Sequence, residues 1–111
     1  MLIDYLSKSH KVREHNGVHV IDEKRAVVIR KKTKPTLHRQ TGRMEFGIPL
    51  RDWNRFSRWQ MPLYIAVECE GKTYFAPLTT LDAAKRTWVG DNVDRGGTVF
   101  LPLEAFTRLK T

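Results

Sequence analysis

Apolar positions fall into short periodic blocks separated by polar breaks. Leu2, Ile3, Leu6 and Val12 recur at rough helical spacing and predict a short helix over 2–14. Asn16-Gly17 closes it, glycine being suited to a left-handed cap. Val18 and Val20, then Ala26 to Ile29, are β-branched or small and flank a polar break at Asp22 to Lys24. They predict a hairpin with strands near 18–22 and 25–32. From Lys34-Pro35-Thr36 to Thr41-Gly42 the chain is polar and rich in breakers, and it reads as a loop. Alternation returns at 43–48, with Met44, Phe46 and Ile48 on one face and Arg43, Glu45 and Gly47 on the other, the pattern of a half-buried strand.

Pro49 opens a helix at a position it tolerates well. Leu50, Trp53 and Phe56 line one side of that helix, Trp59 lies near its edge, and Arg51, Arg55 and Arg58 share a different side. Met61-Pro62 stops it. Leu63 to Cys69 is a strongly apolar strand, and Glu70-Gly71-Lys72 turns the chain into a second, Thr73 to Leu78. Thr79-Thr80-Leu81-Asp82 resembles a capping box and predicts a helix over 80–88. The stretch 90–97, with Asp91 and Asp94, reads as a turn, too short and too poor in oxygens for a calcium loop. A short strand at 98–101 and a closing helix at 102–110, with Leu103, Phe106 and Leu109 inward, complete the series. This order specifies an α+β fold: a single mixed β-sheet with flanking helices, in one domain over 1–111.

Composition narrows the class. The chain has 111 residues, 41% hydrophobic and 29% charged, enough apolar material for one packed core. No apolar run approaches the roughly 18 residues of a membrane span. Asp4, Lys8 and Lys11 interrupt the first dozen positions, so no signal peptide is read. The expectation is a cytoplasmic protein without a membrane partner. Cys69 is the sole cysteine, which excludes an internal disulfide framework and a Cys-rich zinc site; in so apolar a strand it reads as core. His10, His15, His19 and His38 lack zincin spacing, and neither a nucleophile elbow nor a phosphate-binding glycine loop is present. No cofactor is expected from these patterns.

Charge changes the picture most. Lys and Arg number 20 against 12 Asp and Glu, a net charge of +8, and all of that excess lies in the first 60 residues. Lys24, Arg25, Arg30, Lys31, Lys32, Lys34, Arg39 and Arg43 follow one another within 20 positions with no acid between them. Such a run repels itself, and phosphate backbone is the usual anion that relieves it. Arg51, Arg55 and Arg58 add three guanidiniums able to straddle successive phosphates, with Trp59 a better candidate than Trp53 for stacking on a base.

The segment Arg30-Lys31-Lys32-Thr33-Lys34-Pro35-Thr36 ends an apolar strand after a hairpin. It precedes a loop, a strand, a Trp-bearing helix and Pro62-Leu63-Tyr64-Ile65-Ala66-Val67. That succession, over about residues 2–78, resembles the PD-(D/E)XK nuclease superfamily of restriction endonucleases and Holliday-junction resolvases. The resemblance implies a restriction-endonuclease-like core in which a strand ends in Glu-x-Lys. Lys32 takes the place of that lysine, Thr33 follows it, and Arg30 stands where the metal-binding acid belongs. The family's earlier acid falls near Gly17, and the nearest carboxylate in sequence is Asp22. Arginine has no lone pair to offer Mg²⁺ and repels it, so the leading expectation is a non-catalytic nucleic-acid-binding protein. Its ligand would be DNA, gripped by backbone contacts.

Two alternatives stand beside this expectation. One is a Mg²⁺-dependent endonuclease or resolvase using Lys32 with relocated carboxylates from Asp22, Glu45 or Glu68. The other is a basic phage- or plasmid-type module that docks on an acidic protein, with the 63–78 hairpin pairing at a sheet edge to form a homodimer.

Overall fold

In the computed structural model, residues 2–15, 17–32, 34–89 and 96–109 are described. In chain order they form α1 (Leu2–Ser7), β1 (Val12–His15), β2 (Val18–Ile21), β3 (Arg25–Lys32), β4 (Thr36–His38), β5 (Arg43–Pro49) and α2 (Leu50–Ser57). Next come β6 (Leu63–Cys69), β7 (Lys72–Pro77), α3 (Leu78–Ala84), β8 (Arg86–Val89), β9 (Gly97–Pro102), a 3-10 turn at Leu103–Ala105, and β10 (Thr107–Arg108). The fold is α+β, with a mixed six-stranded sheet in the order β1-β2-β3-β6-β7-β10 and an antiparallel four-stranded sheet in the order β4-β5-β9-β8.

Two local hairpins make the centre of the mixed sheet. In β2–β3, Val18 pairs with Val28 and Val20 with Ala26. In β6–β7, Cys69 pairs with Lys72 across a two-residue turn in which Glu70 and Gly71 both have positive φ, at 54° and 75°. That is the primed turn that matches the twist of the flanking strands, and glycine takes one of its two left-handed positions. The hairpins join through a parallel pair, β3 with β6, from Ala26↔Leu63 to Lys32↔Cys69.

Alternation along these strands decides which side chains meet. Ala26 and Val28 of β3 and Leu63, Ile65, Val67 and Cys69 of β6 face one way, into a core shared with Phe46 and Ile48 of β5 and Val99 and Leu101 of β9. Trp53 and Phe56 of α2 and Leu81 of α3 close that core, and Phe46 packs edge-on against Phe106 with ring centroids 5.6 Å apart. The opposite face carries Ile21, Val27 and Ala66, and α1 covers it with Leu2 and Leu6. Each large side chain so buried contributes about 1.5–3 kcal/mol of hydrophobic stabilisation.

Several expectations need correction. The first helix stops at Ser7, and Val12–His15 becomes the outer strand β1. It pairs along its whole length with β2, from Val12↔Ile21 to His15↔Val18, and Lys11 N–H, just before it, donates to Asp22 Oδ1 at 2.8 Å in the β2–β3 turn. The stretch read as a loop at 34–42 contains β4, an edge strand on β5. The helix expected over 80–88 occupies 78–84, and Arg86–Val89 pairs with β9. Instead of a closing helix the chain makes a 3-10 turn and then β10, whose neighbour Leu109 donates its N–H to Thr73 O at 2.8 Å. The mixed sheet therefore has a second sheet, as well as helices, packed on one side. The 63–78 hairpin lies inside the mixed sheet, with β6 between β3 and β7, and β10 takes the outer side of β7 at Tyr74 and Phe75. Asn16, Thr33, Asp91 and Asp94 lie outside the described residues.

Candidate functional site

The last third of β3 decides where the basic residues go. Because Ala26 and Val28 face the shared core, the same alternation puts Arg30 and Lys32 on that face at the strand's open end, and Lys31 on the α1 face. Arg30 Nη1 lies 3.7 Å from Asp52 Oδ2, in the first turn of α2. Both side chains are about three-quarters buried, so this pair ties the end of β3 to the start of the helix. Lys32 carries a pKa held below the ordinary lysine value, first by partial burial and then by the Arg30 guanidinium beside it.

α2 builds the neighbouring surface. Trp53 and Phe56 sit on its buried side, and Arg51, Arg55 and Arg58 fall on the opposite side, all exposed. Trp59 follows the helix half-buried, its ring 6.2 Å from that of His15, whereas Trp53 is buried in the core and presents no face to a base. Arg30 is thus tied to the first turn of α2, the helix whose outer side carries Arg51, Arg55 and Arg58.

The remaining basic residues are spread wider. Lys24 and Arg25 lie at the opposite end of β3, beside the turn that carries Asp22 and Glu23. Lys31 faces the α1 side with Glu68, its register partner. Lys34 and Arg39 are exposed on either side of β4, and Arg43 Nε reaches Glu104 Oε1 at 3.4 Å. The uninterrupted basic run in sequence is therefore divided among the two ends of β3, the two faces of the mixed sheet and the second sheet.

The candidate carboxylates do not converge on Lys32. Asp22 sits in the turn at the far end of β3 from Arg30, where His10 Nδ1 lies 2.8 Å from its Oδ2. Glu68 faces the α1 side, opposite to Lys32, and accepts the Leu2 N–H at 3.1 Å. Glu45 belongs to the second sheet, where Arg86 Nη2 donates to its Oε1 at 2.8 Å. No group of three His, Cys, Asp or Glu side chains placed to hold a metal occurs among the described residues. Cys69 is buried in the strand next to Lys32, and burial pushes its thiol pKa up.

Asp52 is the functional neighbour that spacing alone missed. It lies between Arg51 and Arg55 on a helix read as a basic face, and only its place in the first turn, where acids favour the helix dipole, gave a signal. Comparison with family models, with curated proteins and with solved structures found no match for this chain.

Proposed function

We propose that this chain is a nucleic-acid-binding protein that grips duplex phosphates with the open end of β3 and the outer face of α2, and that it does not cut its ligand. The observation that carries the reading is the Arg30–Asp52 pair. It ties the end of β3 that carries Lys32 to the start of the helix whose outer side carries Arg51, Arg55 and Arg58, which supports a common basic surface. Lys32 supports the same reading. A lysine partly buried beside an arginine is unfavourably placed until an anion joins it, and a phosphate supplies that anion. The nuclease resemblance of the sequence is compatible with this reading, although β4 and β5 belong to a second sheet. Here a fixed cation, Arg30, stands in the metal-binding acid's place. The positions of Asp22, Glu45 and Glu68, each engaged elsewhere, favour binding over Mg²⁺-dependent hydrolysis.

Phosphate contacts position a protein without reading bases, so affinity is expected to be strong in salt dependence and weak in sequence preference at this region. Fluorescence anisotropy with a duplex of about 30 base pairs, from about 50 to 200 mM salt, is the direct test. Replacing Arg51, Arg55 and Arg58 together with glutamate is expected to weaken binding at least about tenfold. It should also reduce the magnitude of the log–log salt slope by about 0.9 for each phosphate that the variant no longer neutralises. Supercoiled plasmid with Mg²⁺ is expected to stay intact. Absence of binding at the lowest salt overturns the proposal, and nicking that Lys32→Ala abolishes restores the enzyme reading.

A further inference from the structure

Leu37 and Met44 are the exposed large apolar side chains among the described residues, at 53% and 38%. They are not scattered. The β4–β5 register sets them directly opposite each other, on the face of β5 that carries Phe46 and Ile48 further along. Isolated exposed apolar residues are ordinary; an adjacent cross-strand pair at a sheet edge is a small built surface.

The backbone presents that surface as a ribbon two strands wide. β5 is flanked by both β4 and β9 at Glu45, which pairs with Thr36 and with Pro102, and β9 ends there. Among the described residues, 37–44 have no strand partner past this point but each other, and the 3-10 turn lies alongside, where Leu103 and Glu104 line one hollow with Gly42, Arg43 and Met44. Their tip is fixed: Gly42 N–H donates to His38 O at 2.8 Å, His38 Nδ1 lies 2.8 Å from Thr41 Oγ1, and Arg43 N–H donates to Thr41 Oγ1 at 3.3 Å. Gly42 has φ +73°, which a side chain would resist. Lys34 and Arg39, both exposed, flank the apolar pair, while Arg43 Nε lies 3.4 Å from Glu104 Oε1 without a hydrogen bond.

We infer that the β4–β5 ribbon enters the major groove of duplex DNA, with Leu37 and Met44 against thymine methyl groups and Lys34 and Arg39 on the bordering phosphates. This deepens the proposed nucleic-acid-binding reading and rests on it. The major groove, about 12 Å wide, admits a two-stranded ribbon, and the thymine methyl is its apolar feature. The flanking cations match the phosphates on its rims. Two side chains are too little apolar area to hold a lipid surface or a stable protein partner, which wants about 800 Å² per side.

The test compares an A·T-rich duplex of about 30 base pairs with the same duplex carrying uracil for thymine, which deletes only the methyl groups. Wild-type protein is expected to bind the thymine duplex about fivefold tighter, roughly the worth of one or two buried methyls. Leu37→Ser with Met44→Ser is expected to bind both duplexes alike, at the wild-type level for uracil. Arg51→Glu with Arg55→Glu should weaken both in parallel. Equal wild-type affinity for the two duplexes overturns this inference and leaves phosphate binding standing; binding to neither overturns both. A double-serine variant that keeps the thymine preference also overturns it. So does wild-type binding to phosphatidylglycerol vesicles that the variant loses, which would assign the ribbon to an anionic lipid surface. The wild-type comparison needs no variant, so a misfolded variant cannot shelter the inference.

Discussion

Glu45 is 2% exposed, and both its oxygens face one guanidinium: Arg86 Nη2 at 2.8 Å and Nε at 3.5 Å. The Arg86 guanidinium also lies over the Phe100 ring at 4.3 Å from its centroid, so the pair is clamped between β5, β8 and β9. Removing one partner of such a pair leaves the other charge buried and uncompensated. Arg86→Ala is therefore expected to cost on the order of 3 kcal/mol in urea unfolding. Arg86→Lys, which keeps charge but loses the two-pronged geometry, should fall between that variant and the wild type. A change below about 0.5 kcal/mol for Arg86→Ala, typical of an ordinary surface site, would mean that the pair does not hold the second sheet together. Alternation placed Glu45 on the polar face of its strand and thereby suggested a carboxylate available for chemistry. On that face the Arg86 side chain, lying over Phe100, reaches Glu45 from two strands away in the same sheet; both residues lie far later in the chain, and no local pattern carries that information. The same limit hid Asp52, whose partner Arg30 arrives from another element.

At the level of elements, the β2–β3 turn is the most constrained local feature. Asp22 and Glu23 have φ of 52° and 55°, two successive left-handed positions without a glycine. Side chains compensate. Asp22 accepts from Lys11 N–H and meets His10, and Glu23 takes Arg13 Nε and Nη2 at 2.6 and 3.0 Å. The Lys11 backbone hydrogen bond, followed by His10, holds the Asp22 carboxyl below its ordinary value of 3.8. A carboxyl lowered in the folded state contributes stability that is present in full above the unfolded value and lost as pH falls through the folded one. Thermal melts at decreasing pH should therefore show a loss that begins near pH 3.8 and that Asp22→Asn lacks in that window. An identical pH profile for the variant would show that Asp22 has no part in the acid sensitivity. The elements that were legible in sequence are those stabilised by their own neighbours: both central hairpins and α2 with its Trp53 and Phe56 side. β1, β8 and β10 were not: β1 pairs with the adjacent β2 across positions 16–17, where Asn16-Gly17 reads equally as a helix end, and β8 and β10 take their partners β9 and β7 from other parts of the chain.

For the whole molecule, the mixed sheet was legible and the second sheet was not. Its four strands come from 36–49 and 86–102, and the pairing of β5 with β9 that unites them is a long-range event. The net charge was legible as a clue to ligand class, but its linear continuity was misleading. The run from Lys24 to Arg43 is divided among two ends of β3 and the β4–β5 ribbon, and only the part near α2 is joined by Arg51, Arg55 and Arg58.

The parallel pairing of β3 with β6 has a consequence for site size. The chain leaves the mixed sheet at Lys32 and re-enters at Leu63, beside Ala26, at the other end of the same strand pair. Six strand steps at about 3.3 Å separate those ends by about 20 Å, and the ribbon and α2 lie on the excursion between them. Duplex DNA rises about 3.4 Å per base pair, so one molecule spanning that excursion would occlude about six base pairs. The 44 Å long axis of the fold sets a ceiling of about 13. Affinity per binding register, after division by the number of overlapping registers on each duplex, is expected to level off between those limits, and a plateau well beyond the ceiling would mean that several copies bind side by side.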